Sequence, residues 1–383
     1  MKGQHPDILI IGGGVIGLTC AWYLAREGAR VKVLDQSQPG SESSWAGAGI
    51  LSAAPQIERA SEPMDQLLAH SAKAFPRLSS ELYENTGIDN GYRECGGVEI
   101  LPTDEVNQNE HRAQTWRELG IDFEPITAAT HQDIEPHLCT NIGASYFFPT
   151  VAQVRNPRHL KALVADCSRL NVEILGGCTA MNWTRTGSLI SSAQTSQGDI
   201  CAGRYLIASG AWSAGLLRPL GVEVKIEPVR GQIALLRCAA PLLRRVIQCG
   251  KRYLVPRPDG RVLIGSTEES VGFLKRTTSE GIQGLLRFGS ELAPCLGQAE
   301  IEKCWAGLRP GSPDGAPYLG EVPGCDNLFL AAGHFRAGIQ LSPATGILIK
   351  ELILDQAPTI SWNQEWAQST SHHTAASTSV QTS

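Results

Sequence analysis

After Asp7 comes an unbroken apolar run, Ile8-Leu-Ile-Ile11, the pattern of a strand buried on both faces of a parallel sheet. Glycines begin at once, in Gly12-Gly-Gly-Val-Ile-Gly17. Leu18 to Glu27 then has helical composition with Gly28 as a stop, and Arg30-Val-Lys-Val-Leu34 predicts a second strand. Residues 65–120 read as helical, with a hairpin-like interruption around Glu94–Leu101, and 102–138 is polar with charged helix-like pieces. Asn156-Pro157 predicts a helix start, Asn156 as N-cap and Pro157 in the first helical position, running through Asp166 to a strand at Val172–Leu175.

Arg204–Trp212 reads as a buried strand ending in small residues, where an open parallel sheet forms its ligand crevice. Between 222 and 304 the pattern changes to alternation, in Gln232–Arg237, Tyr253–Pro256 and Arg261–Ile264, and predicts a largely antiparallel sheet. Leu328–Ala332 returns to the buried-strand pattern, and Ala344–Ile353 reads as a closing helix. Beyond about Asn363 the chain is rich in Ser, Thr, Gln and His, which predicts a disordered tail with solvated histidines.

A length of 383 residues suggests two domains, or one large α/β unit with an inserted lobe. Apolar residues make up 42 %, and the 40 glycines have no three-residue period, so disordered and collagen-like chains are excluded. The formal charge is −5 with no basic stripe, which argues against nucleic acid as the main partner. Eleven cysteines with no C-x-x-C pair fit neither a metal knuckle nor a disulfide framework, and no metal site is expected. Free thiols, no apolar run of about 18 residues, and glycines interrupting the only signal-like stretch together predict a soluble cytoplasmic protein.

The glycines carry the first chemistry. Gly12, Gly14 and Gly17 supply G-x-G-x-x-G around Val15 and Ile16, and Asp35 closes the second strand 18 residues after Gly17. Bare backbone N–H groups at such a turn reach a pyrophosphate, the helix N-terminus adds partial positive charge, and an acid at this spacing meets a ribose hydroxyl. Alone, the glycine pattern is a tight turn and Asp35 a solvated strand end; together in one βαβ unit they point to a dinucleotide. The segment Ser43–Ser52 is rich in small residues that let backbone pass a flat ligand, with Trp45, Ile50 and Leu51 arguing against a free linker. Cofactor contacts are therefore expected at Gly12, Gly14, Val15, Ile16, Gly17, Asp35 and Gln36. They are also expected at Ser43, Ser44, Gly47, Ala48, Gly49 and Ile50, at Ala180, and at Ser209, Gly210 and Trp212.

Two later strings are long and unusual: Trp305-Ala-Gly-Leu-Arg-Pro-Gly-Ser-Pro-Asp-Gly-Ala-Pro-Tyr-Leu-Gly320 and Ala331-Ala-Gly-His-Phe-Arg-Ala-Gly-Ile-Gln-Leu-Ser-Pro-Ala-Thr-Gly346. With the βαβ unit they resemble the FAD-dependent D-amino-acid and glycine oxidase family, most of all the glycine oxidases of thiamine thiazole synthesis, from about Asp7 to Leu354. The resemblance implies an α/β fold: a Rossmann-like FAD-binding domain of glutathione-reductase type, assembled from 1–85, 140–221 and 305–362. A mixed, mainly antiparallel substrate domain from 86–139 and 222–304 and a tail at 363–383 complete it.

The same resemblance implies roles. Arg309 holds the substrate carboxylate with help from Tyr253, which suits a planar guanidinium and a phenol donor. The alternatives are an ion pair of Arg309 with Asp314 or Glu321, and plain core packing for Tyr253. Arg336 closes the same pocket or supports the flavin edge, and the backbone of Arg336, Ala337, Gly338 and Ile339 meets the flavin pyrimidine. Phe335 and Gly307 are further expected contacts, and His334 is structural or flavin-proximal rather than a base. Where relatives attach flavin to cysteine this chain has Gly307, which implies non-covalent FAD, with Cys304 close by; Asp35 stands where many relatives carry Glu.

The activity implied is oxidation of glycine or another small amine or D-amino acid with O2, yielding glyoxylate, ammonia and H2O2 from glycine. The imine would feed thiazole synthesis, and a homo-oligomer is expected. The alternatives are a D-amino-acid dehydrogenase passing electrons to a quinone, an RNA-modifying FAD domain, a nicotinamide dehydrogenase and a non-catalytic interaction protein.

Overall fold

Ile8–Ile11 lies inside a six-stranded sheet whose order is Tyr318–Glu321, Leu328–Ala332, Arg204–Ile207, Ile8–Ile11, Val31–Leu34, Glu173–Leu175. The computed structural model describes residues 5–101, 106–140 and 143–362, so the tail expected from Asn363 lies outside the described residues. All neighbours in this sheet are parallel except Tyr318–Glu321, which turns back on Leu328–Ala332. The first strand divides its side chains between two cores. Ile8 and Ile10 pack with the helices Val15–Arg26, Pro63–Thr86, Asn156–Arg169 and Gly338–Ile353. Leu9 and Ile11 pack with Trp183 and Ile190 of a small antiparallel sheet, Ala180–Thr186, Leu189–Thr195 and Gly198–Ile200. Cover on both faces explains a strand apolar at every position, each fully buried Leu or Ile contributing about 1.5–3 kcal/mol.

The second large sheet has eight strands in the order Glu300–Gly311, Glu227–Arg237, Arg261–Gly265, Arg252–Pro256, Val246–Cys249, Gly97–Ile100, Ser145–Phe148, Glu124–Pro125. It is antiparallel except where Val246–Cys249 meets Gly97–Ile100. One face packs on the helix Ser279–Leu292 through Leu236, Ile247, Leu254, Ile264 and Leu285. Its other face carries Ile233, Gln248, Tyr253 and Arg309, which border a pocket.

Several expectations change. The hairpin around Glu94–Leu101 does not form: Arg93–Glu94 pairs with Ala152–Gln153, while Gly97–Ile100 joins the eight-stranded sheet. The strand at Arg204 stops at Ile207, and Gly210, with φ +55°, turns the chain into a 3-10 turn, Gly210–Trp212. Asn156 is the first residue of its helix and Arg155 is the cap position; the buried Asn156 amide instead donates to the Ser44 carbonyl at 2.9 Å. The last helix begins at Gly338, six residues before Ala344, and keeps Pro343 inside it. Ser279–Leu292, in the region read as sheet, is an amphipathic helix whose N-cap Thr278 hydroxyl accepts from Gly281 N–H at 3.2 Å. Residue 305, expected to open the third flavin segment, lies within the strand Glu300–Gly311, which stays paired with Glu227–Arg237 to its end. Among the described residues, no helix is long and apolar enough to cross a membrane and no cluster of three metal-ligating side chains occurs. All eleven cysteines are unpaired.

Candidate active site

The glycine turn is built by close approach. A Cβ on Gly12, whose φ is +116°, would stand 2.3 Å from the Ala208 carbonyl oxygen, and one on Gly17 would stand 1.9 Å from the Gly12 carbonyl oxygen. Only glycine lets the helix Val15–Arg26 begin this near the sheet. The helix has no side-chain cap of its own. Val15 N–H donates to the Ser44 hydroxyl at 2.9 Å, and the N–H groups of Ile16 and Gly17 have no intrahelical acceptor. Asp35 accepts from Gly13 N–H at 2.9 Å with one oxygen and from Ser37 N–H at 2.8 Å with the other. The Ser37 hydroxyl also donates to that second oxygen at 3.1 Å, so the shorter acid pins the turn while bordering the cleft.

The small-residue segment is held by its carbonyls. Asn156 donates to the Ser44 carbonyl, the Trp305 indole to that of Ala46 at 2.9 Å, and the Arg257 guanidinium to that of Ala48 at 2.8 Å. A Cβ on Gly49 (φ +73°) would meet the Val154 carbonyl oxygen at 2.0 Å, and one on Gly307 would meet Ala46 Cβ at 2.6 Å. The segment is thus a rigid wall shared by two cavities.

At the far end, Phe335 has φ +45° and donates its N–H to Pro310 O at 3.0 Å. Gly338–Ile353 starts without a side-chain cap, so the N–H groups of its first turn, Gly338, Ile339 and Gln340, have no intrahelical acceptor. These donors, with the helix dipole behind them, stabilise negative charge on a ligand edge. His334 is buried and 3.0 Å from the Thr345 hydroxyl, and burial pushes its pKa down to about 3, so the ring is neutral.

One row crosses the eight-stranded sheet: Glu99, Gln248, Tyr253, Gly265, Ile233 and Trp305 are successive register partners. Gly231, Gly307 and Arg309 extend the same face by the two-residue period. The Arg309 guanidinium lies over Gly231, where a Cβ would approach it to 2.2 Å, and the Tyr253 ring lies over Gly265 in the same way, at 2.4 Å. Arg309 donates to Ser266 Oγ at 2.5 Å and to Thr267 O at 3.2 Å, and the Tyr253 hydroxyl is within hydrogen-bonding reach. Thr267 is braced in turn by Glu269 at 2.6 Å and by Gln232 N–H at 2.9 Å. Among the described residues no carboxylate pairs with Arg309; Asp314 accepts from Ala316 N–H instead. Burial lowers the guanidinium's affinity for its proton, opposed by Tyr253, so an incoming carboxylate gains a partly desolvated cation with open donors.

Arg336 stands at the rim, paired with Glu268, which also receives Lys251 Nζ at 2.5 Å. Burial tends to raise the Glu268 pKa, but the hydrogen bonds from Lys251 and Arg336 outweigh it and hold the carboxyl below its usual range.

Gly12, Gly14, Val15, Ile16, Asp35, Gln36, Ser44, Ala180, Ser209, Gly210, Trp212, His334, Phe335 and Gly338 line one long cleft. Ala48, Gly49, Ile50, Tyr253, Gly307 and Ala337 line an adjoining pocket, and Ser43, Gly47, Arg309, Arg336 and Ile339 border both. Gly17 lies beneath the turn and lines neither. The Ser43 and Ser44 hydroxyls are engaged within the protein, Ser43 donating to Leu308 O and Ser44 accepting from Val15 N–H. Cys304 alternates with Trp305 along the strand and so faces away from the pocket.

Gly231, Gln248, Ser266, Gln340 and Thr179 also border these cavities without having been singled out from the sequence. A glycine inside an alternating strand, as at Gly231, was the one available signal. The cleft fits FAD: bare glycines and free N–H groups meet a pyrophosphate, an acid ends the second strand, and uncapped donors lie at the opposite end.

Residues 7–352 match the family described as FAD dependent oxidoreductase. A glycine oxidase of Pseudomonas putida is 37 % identical over 93 % of this chain and 97 % of its own. The bifunctional protein ThiO/ThiG of a Synechocystis species is 37 % identical over 91 % of this chain, which spans 52 % of that relative. The crystal structure of glycine oxidase from Geobacillus kaustophilus superposes with a TM-score of 0.88 at 33 % identity, covering 94 % of this chain and 97 % of its own.

Proposed function

The chain belongs to the family of FAD dependent oxidoreductases, and from that premise we propose that it oxidises glycine and other small amino acids at the pocket beside Arg309. The observation that carries this reading is a half-buried guanidinium with no carboxylate partner among the described residues, set beside a tyrosine where pocket and cleft meet. FAD, bound in the cleft, supplies the acceptor for the two electrons and the hydrogen removed from the substrate C–H bond.

The residues of the chain bind and orient. Arg309 and Tyr253 fix the substrate carboxylate, which sets the angle at which the adjoining carbon faces the cleft. The uncapped first turn at Gly338 and Ile339 has N–H donors that would help hold bound flavin and would favour negative charge beside them. His334, neutral and turned toward Thr345, packs the wall and moves no proton. The overall reaction is glycine + O2 + H2O to glyoxylate + NH3 + H2O2, through an imine that water hydrolyses. The role implied by the sequence resemblance is supply of that imine to thiamine thiazole formation. Relatives at 35–38 % identity are oxidases, which favours O2 over a quinone as acceptor. Eleven free thiols favour the reducing cytoplasm.

The test is product analysis. Purified protein incubated with glycine in air should yield glyoxylate and H2O2 in equal amounts. Turnover only on addition of a quinone would assign the dehydrogenase instead.

A further inference from the structure

The carboxylate end of the substrate has Arg309 and Tyr253; the amino end needs an acceptor. No Asp or Glu lines the pocket among the described residues. Of its two side-chain amides, Gln340 already has each end engaged with one backbone group, accepting from Ser52 N–H at 3.3 Å and donating to Ser52 O at 2.9 Å. The other, Gln248, stands directly across the strand pair from Tyr253, on the same face. Its Nε2 donates to Glu99 Oε2 at 3.3 Å, from the register partner on its other side, and its Oε1 has no protein partner among the described residues.

We propose that Gln248 receives the substrate's amino group on its side-chain carbonyl, and that Glu99 is the positioning residue that keeps that carbonyl turned into the pocket. The assignment rests on the amino-acid reading above. An ionised carboxylate only accepts hydrogen bonds, so it draws the NH2 end of Gln248 to itself and leaves the oxygen for the ligand. A neutral amide discriminates amine from its absence without placing a second fixed charge opposite Arg309. Its oxygen can accept from an ammonium group, more strongly, and from a neutral amine, and so keeps a contact with the substrate through loss of its proton.

Burial raises Glu99 to about 7, opposed by Arg112 from the helix Val106–Glu118. Among the described residues, Tyr146, its register partner on Ser145–Phe148, and Cys249, next to Gln248, are further titratable groups near it. Below about pH 7 a protonated Glu99 can donate to Gln248 Oε1 and turn the oxygen away from the pocket.

The test uses the FAD-loaded enzyme, with KM for glycine and the competitive inhibition constant of acetate, a carboxylate without the amine. Gln248→Met should raise KM about tenfold, the size of one lost hydrogen bond, and leave the acetate constant and FAD content unchanged. The unmodified enzyme should show a rise in KM on acidification through pH 7, and Glu99→Gln should remove it. Equal weakening of glycine and acetate in Gln248→Met, or an unchanged acid limb in Glu99→Gln, would overturn the assignment alone. Acetate that fails to compete in the unmodified enzyme would overturn the reading of the pocket, and this assignment with it.

Discussion

Gly231 and Arg309 are made for each other: the guanidinium of Arg309 occupies the space a side chain on Gly231 would fill, 2.2 Å from the position of its Cβ. Gly231 is the register partner of Gly307, two residues before Arg309 on the neighbouring strand, so the arginine leans back along its strand over a bare patch of sheet. Gly231→Ala should therefore push the guanidinium off its seat on Ser266 and Thr267. We expect kcat/KM for glycine to fall about 10- to 100-fold, the range for loss of a charge-assisted contact, with FAD content normal. Steady-state kinetics together with the flavin spectrum check this; unchanged kcat/KM would show that the seat is not needed.

The glycine turn should behave differently, because its contacts are with backbone. Gly17→Ala puts a methyl group 1.9 Å from the Gly12 carbonyl oxygen, which no rotamer relieves. The expected result is protein purified with little or no FAD and a melting temperature lowered by several degrees, roughly what a loss of 1–3 kcal/mol of packing gives. Absorbance near the flavin band and a thermal melt with added FAD measure both.

Acid sensitivity follows from two buried histidines. Burial lowers His334 to about 3 and His159 to about 4, whereas both would bind a proton near 6.5 when unfolded. Below about pH 6.5 the unfolded chain holds more protons than the fold, so stability drops as pH falls toward 4, by up to about 1.4 kcal/mol per pH unit for each histidine. The stability contributed by neutral burial is fully present above pH 6.5. Denaturant melts from pH 4 to 7 should show the slope, and His334→Gln should lose its share of it.

Arg336 should matter less than Arg309. It is tied to Glu268 at the rim, where solvent screens it and where Lys251 shares the same carboxylate. Arg336→Ala should raise KM only a few-fold, with the larger part of the effect lost at high salt; a loss as large as that of an Arg309 variant would place Arg336 on the substrate itself.

Much of this was legible in the chain, and the reasons differ by element. Ile8–Ile11 announced a doubly covered strand because both faces are buried, so no polar residue interrupts it. Gly12 and Gly17 announced the turn because close backbone approach admits nothing larger. The seat of Arg309 was not legible, since Gly231, Ser266 and Thr267 reach it through the pairing of strands 30 to 80 residues apart, a register the local pattern does not encode. Asn156 looked like a cap because Asn before Pro is a common helix start; burial against the small-residue segment redirected its amide to Ser44. Ser279–Leu292 was hidden by three glycines that lower helix propensity, and Gly289 is there because Ile264 lies 2.5 Å from where its Cβ would be.

In the function proposed, Arg309 holds the carboxylate of an amino acid while the adjoining carbon gives up hydrogen to bound flavin. The direct measurement is anaerobic titration of the FAD-loaded enzyme and of Arg309→Met with glycine, following the flavin absorbance. Glycine should bleach the unmodified enzyme, colour should return and H2O2 should appear when air is admitted, and the variant should need at least about 100-fold more glycine at equal FAD content. No bleaching of the unmodified enzyme, or bleaching of both proteins at the same glycine concentration, would contradict it.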